Sequence, residues 1–102
     1  MLNATLEKVA LKSKFPLGRL LATPGALQAF TEAGENPLGY LVRHASGDWG
    51  DVPAEDAKEN EFSLSRRLRL LSAYTLGTGT KIIWIITEAD RSATTILLPS
   101  EY

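Results

Sequence analysis

Residues 81–87 read Lys-Ile-Ile-Trp-Ile-Ile-Thr. A strand with one side in water alternates polar and apolar residues, whereas a run that is apolar at both parities is covered on both faces. This segment is therefore the central strand of a sheet. Arg67-Leu68-Arg69-Leu70 alternates with period two, and the pattern continues through Tyr74 as a second strand. Leu76 to Thr80, with Gly77 and Gly79, is a turn, and Glu88-Ala89-Asp90-Arg91-Ser92 is another. Ala93 to Leu98 forms the last strand, stopped by Pro99. Three strands joined by two short turns make a meander.

The first half of the chain is punctuated differently. Thr23-Pro24 is a helix start, because Thr caps and Pro at the first helical position has no N–H to leave unpaired. That helix runs from Pro24 to Ala33, with Leu27 and Phe30 or Leu27 and Thr31 on one face, and Gly34 closes it. Asn36-Pro37 repeats the signal for a second short helix through Leu38, Leu41 and Val42. A third helix begins near Asp51 and Pro53, with Asp51 as its cap or near-cap, Pro53 in the first turn and Glu55 and Asp56 favourable there, and runs to about Leu64. Its inward residues are expected to be Ala54, Ala57 and Phe62. Leu17 to Ala22 is a short apolar stretch suited to an edge strand. Residues 1–14 read as a tail or an extra element, and residues 15–102 as a single domain.

The fold class expected is α+β: two or three short N-terminal helices followed by a three- or four-stranded antiparallel sheet. Helices cover one face of the central strand. The other face needs the N-terminal segment or a second subunit, so a homodimer is a possible assembly.

Composition removes several functions. Lys and Arg number 11 against 12 Asp and Glu, which argues against nucleic acid as the main partner. The same balance argues against an acidic DNA mimic. There is no Cys, so disulfides, thiolate metal sites and Cys nucleophiles are excluded. No apolar run approaches the roughly 18 residues of a membrane span. Glu7 and the absence of an unbroken apolar core near Met1 do not suit a signal peptide, and a cytoplasmic location is expected. No phosphate loop, two-histidine zinc pair or serine elbow occurs, and no cofactor is expected.

The run His44-Ala-Ser-Gly-Asp-Trp-Gly-Asp51 holds the only His and one of the two Trp. An indole, acids and glycines together make a poor helix and a poor strand, which marks a shaped loop. His44, Asp48 and Asp51 are residue types that hold a divalent metal or act as an acid–base pair. They are equally turn, cap and helix-end residues, with Trp49 anchoring the loop in the core. Glu88, Asp90 and Arg91 sit at the end of the central strand, where a carboxylate cluster with Asp48 or Asp51 is conceivable. A solvated hairpin accounts for them as well. Arg66, Arg67 and Arg69 with Lys81 suggest a small basic patch for phosphate or an acidic protein, or a solvated face paired with Glu59 and Glu61. No residue is assigned a catalytic or metal-binding role. The candidate binding surface is His44, Asp48, Trp49 and Asp51, with Glu88, Asp90 and Arg91 beside it, because Trp and Arg are enriched at interface hot spots.

Several strings carry a resemblance: Ala22-Thr-Pro-Gly-Ala26, Arg43-His44-x-x-Gly47-Asp48-Trp49-Gly50, Leu71-Ser-Ala-Tyr74, Trp84-Ile-Ile-Thr-Glu-Ala-Asp-Arg-Ser92 and Thr94-Thr-Ile-Leu-Leu-Pro99. Over residues 15–102 the chain resembles a family of small bacterial proteins carried by plasmids, phages and integrative elements. Members are described as plasmid-related proteins and sometimes as the modification subunit of a type I restriction system. A methyltransferase domain does not fit in a chain this short. The chain departs from the family at Lys81-Ile-Ile-Trp84 by one extra Ile, which leads one to expect a register shift or a bulge. The family has no catalytic residues to carry over.

The resemblance implies a mobile-element setting. There, small cofactor-free proteins act by binding other proteins, as inhibitors of CRISPR or restriction complexes or as toxin–antitoxin components. The leading expectation is a non-enzymatic protein-binding module. The alternatives are a metal-assisted hydrolase or nuclease using His44, Asp48, Asp51 and Glu88, and a regulatory homodimer joined through the sheet.

Overall fold

The structure is a computed structural model that describes residues 13–77 and 79–102. Its elements are β1 (Arg19–Ala22), α1 (Pro24–Ala33), α2 (Pro37–Ala45), α3 (Ala54–Arg66), β2 (Leu70–Thr75), β3 (Ile82–Thr87), β4 (Ala93–Leu97) and a one-turn 3₁₀ helix (Pro99–Glu101). The segment expected to be a tail lies mostly outside the described residues. Of its described end, Lys14 donates its backbone N–H to the Ala45 carbonyl at 2.8 Å, tying it to the end of α2.

The fold is α+β, with three helices and a four-stranded sheet in the order β1-β4-β3-β2. Two expectations are corrected. The helices do not come first, because β1 precedes them. The sheet is mixed, because β1 pairs parallel with β4 while the β2–β3 and β3–β4 pairs are antiparallel. The meander occupies three strands, and β1 joins at the edge farthest from β2. The three helices therefore carry the chain from one edge of the sheet to the other. The expected bulge near Ile82 is absent: the β2–β3 register runs unbroken from Leu70 opposite Thr87 to Thr75 opposite Ile82.

The local signals for α1 and α2 act as expected. Thr23 Oγ1 accepts the Ala26 N–H at 3.2 Å, Gly34 takes φ 67°, and Asn36 Oδ1 accepts the Leu38 N–H at 2.9 Å. α3 lies close to its expected bounds, but its ends are closed in other ways. Pro53 stands at its N-cap with no side-chain bond, so Asp51 does not cap it. Arg67, at φ 54°, ends it in the left-handed region. Arg67 thus belongs to a helix terminus, and β2 begins only at Leu70. The inner face of α1 is Ala26, Ala29 and Phe30, whereas Leu27 is 52% exposed. In α3 the buried residues are Asn60 and Ser63, whereas Phe62 is exposed.

The sheet buries one face under the helices. Ala26, Ala29 and Phe30 of α1 and Leu41 of α2 pack with Tyr74, Ile83, Ile85 and Ile96, which share one parity across β2, β3 and β4. Beside them Phe15, Trp49 and Leu70 form a second cluster with Leu17, Val52, Ala57 and Leu64. The opposite parity makes an outer face. Its rows run Ala73–Trp84–Leu97 and Leu71–Ile86–Thr95–Leu21 across neighbouring strands.

Candidate functional site

The 44–51 run is a loop only from Ser46 onward, because His44 and Ala45 are the last two residues of α2. His44 points inward and is wholly buried between α2 and the sheet. Its Nδ1 lies 2.6 Å from Ser72 Oγ and its Nε2 2.9 Å from Thr87 Oγ1. Thr87 Oγ1 is 2.7 Å from Thr94 Oγ1, and Thr94 Oγ1 donates to the Leu17 carbonyl at 2.7 Å.

Counting donors fixes the direction of this chain. Thr94 has one proton, given to Leu17, so it accepts from Thr87. Thr87 then accepts from His44, which puts the imidazole proton on Nε2. Nδ1 is left to accept the Ser72 hydroxyl proton. Burial, with the nearby positive charge of Arg91, pushes the His44 pKa down to about 3, so the ring is neutral at ordinary pH. A Ser–His pair at 2.6 Å has the spacing of an activated nucleophile. Ser72 is nevertheless fully buried, and every proton in the chain already has an acceptor. The arrangement links α2, β2, β3, β4 and the segment before β1, and it acts as a latch. The signal for it was present in the sequence: Ser72, Thr87 and Thr94 fall at the inward parity of their strands, and the chain has one His to join them.

The remainder of the run is a seal on the outer edge of β2. The Ala73 N–H donates to the Trp49 carbonyl at 3.1 Å, and the Asp51 N–H donates to the Ala73 carbonyl at 2.7 Å. Gly50, at φ 74°, sits against Ala73 and the Tyr74 ring, where a Cβ would collide with both. Trp49 is buried, stacks on Phe15 with centroids 6.2 Å apart, and donates its indole N–H to Glu61 at 2.8 Å. Asp48 pairs with Arg43 at 2.7 Å, and that hydrogen bond holds its carboxyl below the usual range. Its backbone carbonyl accepts the Tyr74 hydroxyl at 2.5 Å. Asp51 accepts the Thr75 hydroxyl at 3.0 Å. One position along the edge, Asn60 of α3 completes the seal. Its amide donates to the Leu71 carbonyl at 2.7 Å and accepts the Leu71 N–H at 3.1 Å.

The second group of candidates lies at the other end of the strands. Asp90 accepts the Ser92 N–H at 3.0 Å, and its carboxyl is lowered chiefly by the Ser92 side chain. Arg91 takes φ 62°, and its side chain is buried. Its guanidinium donates to the carbonyls of Leu68 at 2.6 Å, Ser63 at 2.9 Å and Glu88 at 3.1 Å. Arg91 thus fastens the C-terminal end of α3, where a cation is favourable, to the β3–β4 turn. Glu88 is exposed beside it.

These groups do not converge. Asp51 is bonded to Thr75, and Glu88 follows Thr87, whose register partner is Leu70. Leu70 and Thr75 are five residues apart on β2, about 17 Å at strand rise. Among the described residues, no group of three or more His, Asp or Glu side chains is placed to hold a metal ion. The arginines do not form one patch either. Arg66 lies over the Phe62 ring at 4.8 Å, and Arg69 lies over the Tyr102 ring at 5.2 Å.

Reasoning from the sequence missed an aromatic cluster on the outer face. Trp84 is half-buried there, edge-on to Tyr102 with centroids 5.8 Å apart. Arg69 covers the Tyr102 ring and donates to its hydroxyl. Phe62 and Leu71 lie nearby, lining a groove of about 620 Å³ with Arg69 and the acidic side of α3. No family model, no curated protein and no solved structure matches the chain.

Proposed function

We propose that this protein is a non-enzymatic binding module that recognises another protein through the outer face of its sheet. The observation that carries this reading is the Trp84–Tyr102–Arg69 cluster. It places the three side chains most enriched at interface hot spots on one surface, next to a groove lined by Phe62 and Leu71. The histidine and carboxylates that would serve an enzyme are occupied within the fold or stand apart. The mobile-element resemblance supplies the setting in which we place the module, as an inhibitor of a defence complex.

Arg69→Ala and Tyr102→Ala test the reading, because both side chains are exposed and their removal leaves the core intact. Each variant and the native chain serve as bait in parallel captures from host cells, with Asp48→Ala as a control on the sealed edge. A partner held by the native chain and by Asp48→Ala, and lost by both outer-face variants, is the expected result. A partner held equally by all four baits defeats the reading.

A further inference from the structure

Among the described residues, β1 is paired along one edge only, to β4. All four residues of β1 are exposed, and Leu20 and Leu21 are 44% and 41% so. The odd positions bond to β4: the Arg19 N–H donates to the Ser92 carbonyl and the Thr23 N–H to the Ile96 carbonyl, each at 3.0 Å. The even positions, Leu20 and Ala22, therefore turn their N–H and C=O groups outward, and no described residue bonds to them there. Two devices that guard an edge are present in Arg19-Leu20-Leu21-Ala22, its short length and the charge of Arg19; a lysine, a bulge and a proline within the strand are absent.

We infer that a second copy of this chain pairs with β1 in antiparallel fashion about a two-fold axis at Leu21. In that register Leu20 of each copy faces Ala22 of the other and exchanges two hydrogen bonds with it. Leu21 faces Leu21 of the second copy, and Arg19 faces Thr23. The last pairing supplies charge complementarity. Among the described residues Arg19 has no carboxylate partner. Thr23 donates its hydroxyl to Glu101 Oε1 at 2.5 Å, and Glu101 Oε2 takes only the Gly25 N–H at 3.1 Å. Arg19 and Leu21 share the outer face with Ala93 and Thr95, their register partners on β4. Residues facing each other in the non-hydrogen-bonded positions of such a pair have Cα atoms about 4.5 Å apart, so the Arg19 guanidinium of one copy reaches Glu101 of the other. The two-fold makes this contact twice. Leu27, one helical turn beyond Thr23, is exposed as well. This pairing does not depend on the partner proposed for Trp84. It joins two outer faces into one eight-stranded sheet.

Because the chain holds no cysteine, register is directly testable. Leu21→Cys places two thiols across the axis within disulfide reach, whereas Leu20→Cys places each thiol opposite Ala22. Sedimentation equilibrium of the full chain is expected to show a concentration-dependent dimer. Leu21→Lys sets like charges face to face and is expected to weaken it about tenfold or more. Under mild oxidation Leu21→Cys is expected to form a linked dimer and Leu20→Cys to form little. Arg69→Ala and Tyr102→Ala leave the dimer constant unchanged, which separates this result from failure at the outer face. A chain that is monomeric at every concentration overturns the proposal. So does a dimer indifferent to Leu21→Lys, or equal cross-linking at both cysteines.

Discussion

The two edges of the sheet are finished in opposite ways. Along β2, the outward N–H and C=O of Leu71 are both taken by the Asn60 amide, and those of Ala73 by Trp49 and Asp51. Along β1, the equivalent groups of Leu20 and Ala22 have no described partner. An edge closed by side chains and irregular backbone requires a buried amide, glycine at positive φ and an anchoring indole. Those are the residue types that make a loop look like an active site. The β1 edge needs no special residue types, and its short apolar run, Leu17 to Ala22, is legible in the sequence as an edge strand. In this chain, residues that carry chemistry elsewhere serve to terminate a sheet.

The comparison breaks most severely at Trp49. Trp49→Ala removes the side chain that holds the sealing loop to Phe15 and Glu61, and is expected to cost about 3–5 kcal/mol of unfolding free energy. Urea denaturation measures it. His44→Leu comes next. It leaves the Ser72 and Thr87 hydroxyls buried without the imidazole, for a loss of about 2–4 kcal/mol by the same measurement. Asn60→Ala strips two partners from Leu71 and is expected to cost roughly 2 kcal/mol. Hydrogen exchange should then show the Leu71 amide losing protection before that of Ala73. Equal loss at both would mean that the seal is a single unit, not two devices.

Where the sequence was legible, the cause of structure was local. Thr23-Pro24, Gly34 and Asn36-Pro37 act on their own helices, and the Ile82–Ile86 run must be covered wherever it lies. Asp51 stands just before the Pro53 N-cap but gives its side chain to Thr75, which β2 brings beside it. On α3, Ala57 packs inward as expected but Phe62 does not, for the same reason. A helix lying along a strand edge turns a polar Asn60 inward where one lying on an apolar face would turn Phe62. The parallel pairing of β1 with β4 joins strands separated by three helices and two strands, and neither strand's own residues mark it. His44 lies near the end of its helix as expected, but its two partners, Ser72 and Thr87, belong to strands distant in sequence.

Acid sharpens the comparison further. The folded pKa of His44 lies near 3, below the unfolded value of 6.5, so the unfolded chain takes up a proton that the folded chain refuses. The contribution is complete above pH 6.5 and is lost as pH falls from there toward 3. The slope approaches roughly 1.4 kcal/mol per pH unit once the unfolded histidine is protonated. The lowered carboxyls of Asp48, Asp90 and Glu101 lose their contributions only in the carboxylate range, so the interval between pH 6.5 and 5 reports His44. His44→Leu should flatten that interval, and an unchanged slope would assign it to another group.

The smallest effect is the most discriminating. Leu20 and Leu71 both point their N–H groups away from the sheet, one into an open edge and one into Asn60. Proline removes that N–H and is tolerated in strands where it faces solvent. Leu20→Pro is therefore expected to change the unfolding free energy of the monomer by about 1 kcal/mol or less, whereas Leu71→Pro loses the Asn60 bond and costs about 3 kcal/mol or more. If the two substitutions cost the same, the edges differ in appearance only. If Leu20→Pro is the milder and also abolishes self-association, the free groups of β1 are a binding edge, and the asymmetry between the two edges is what leaves one of them available for a second copy.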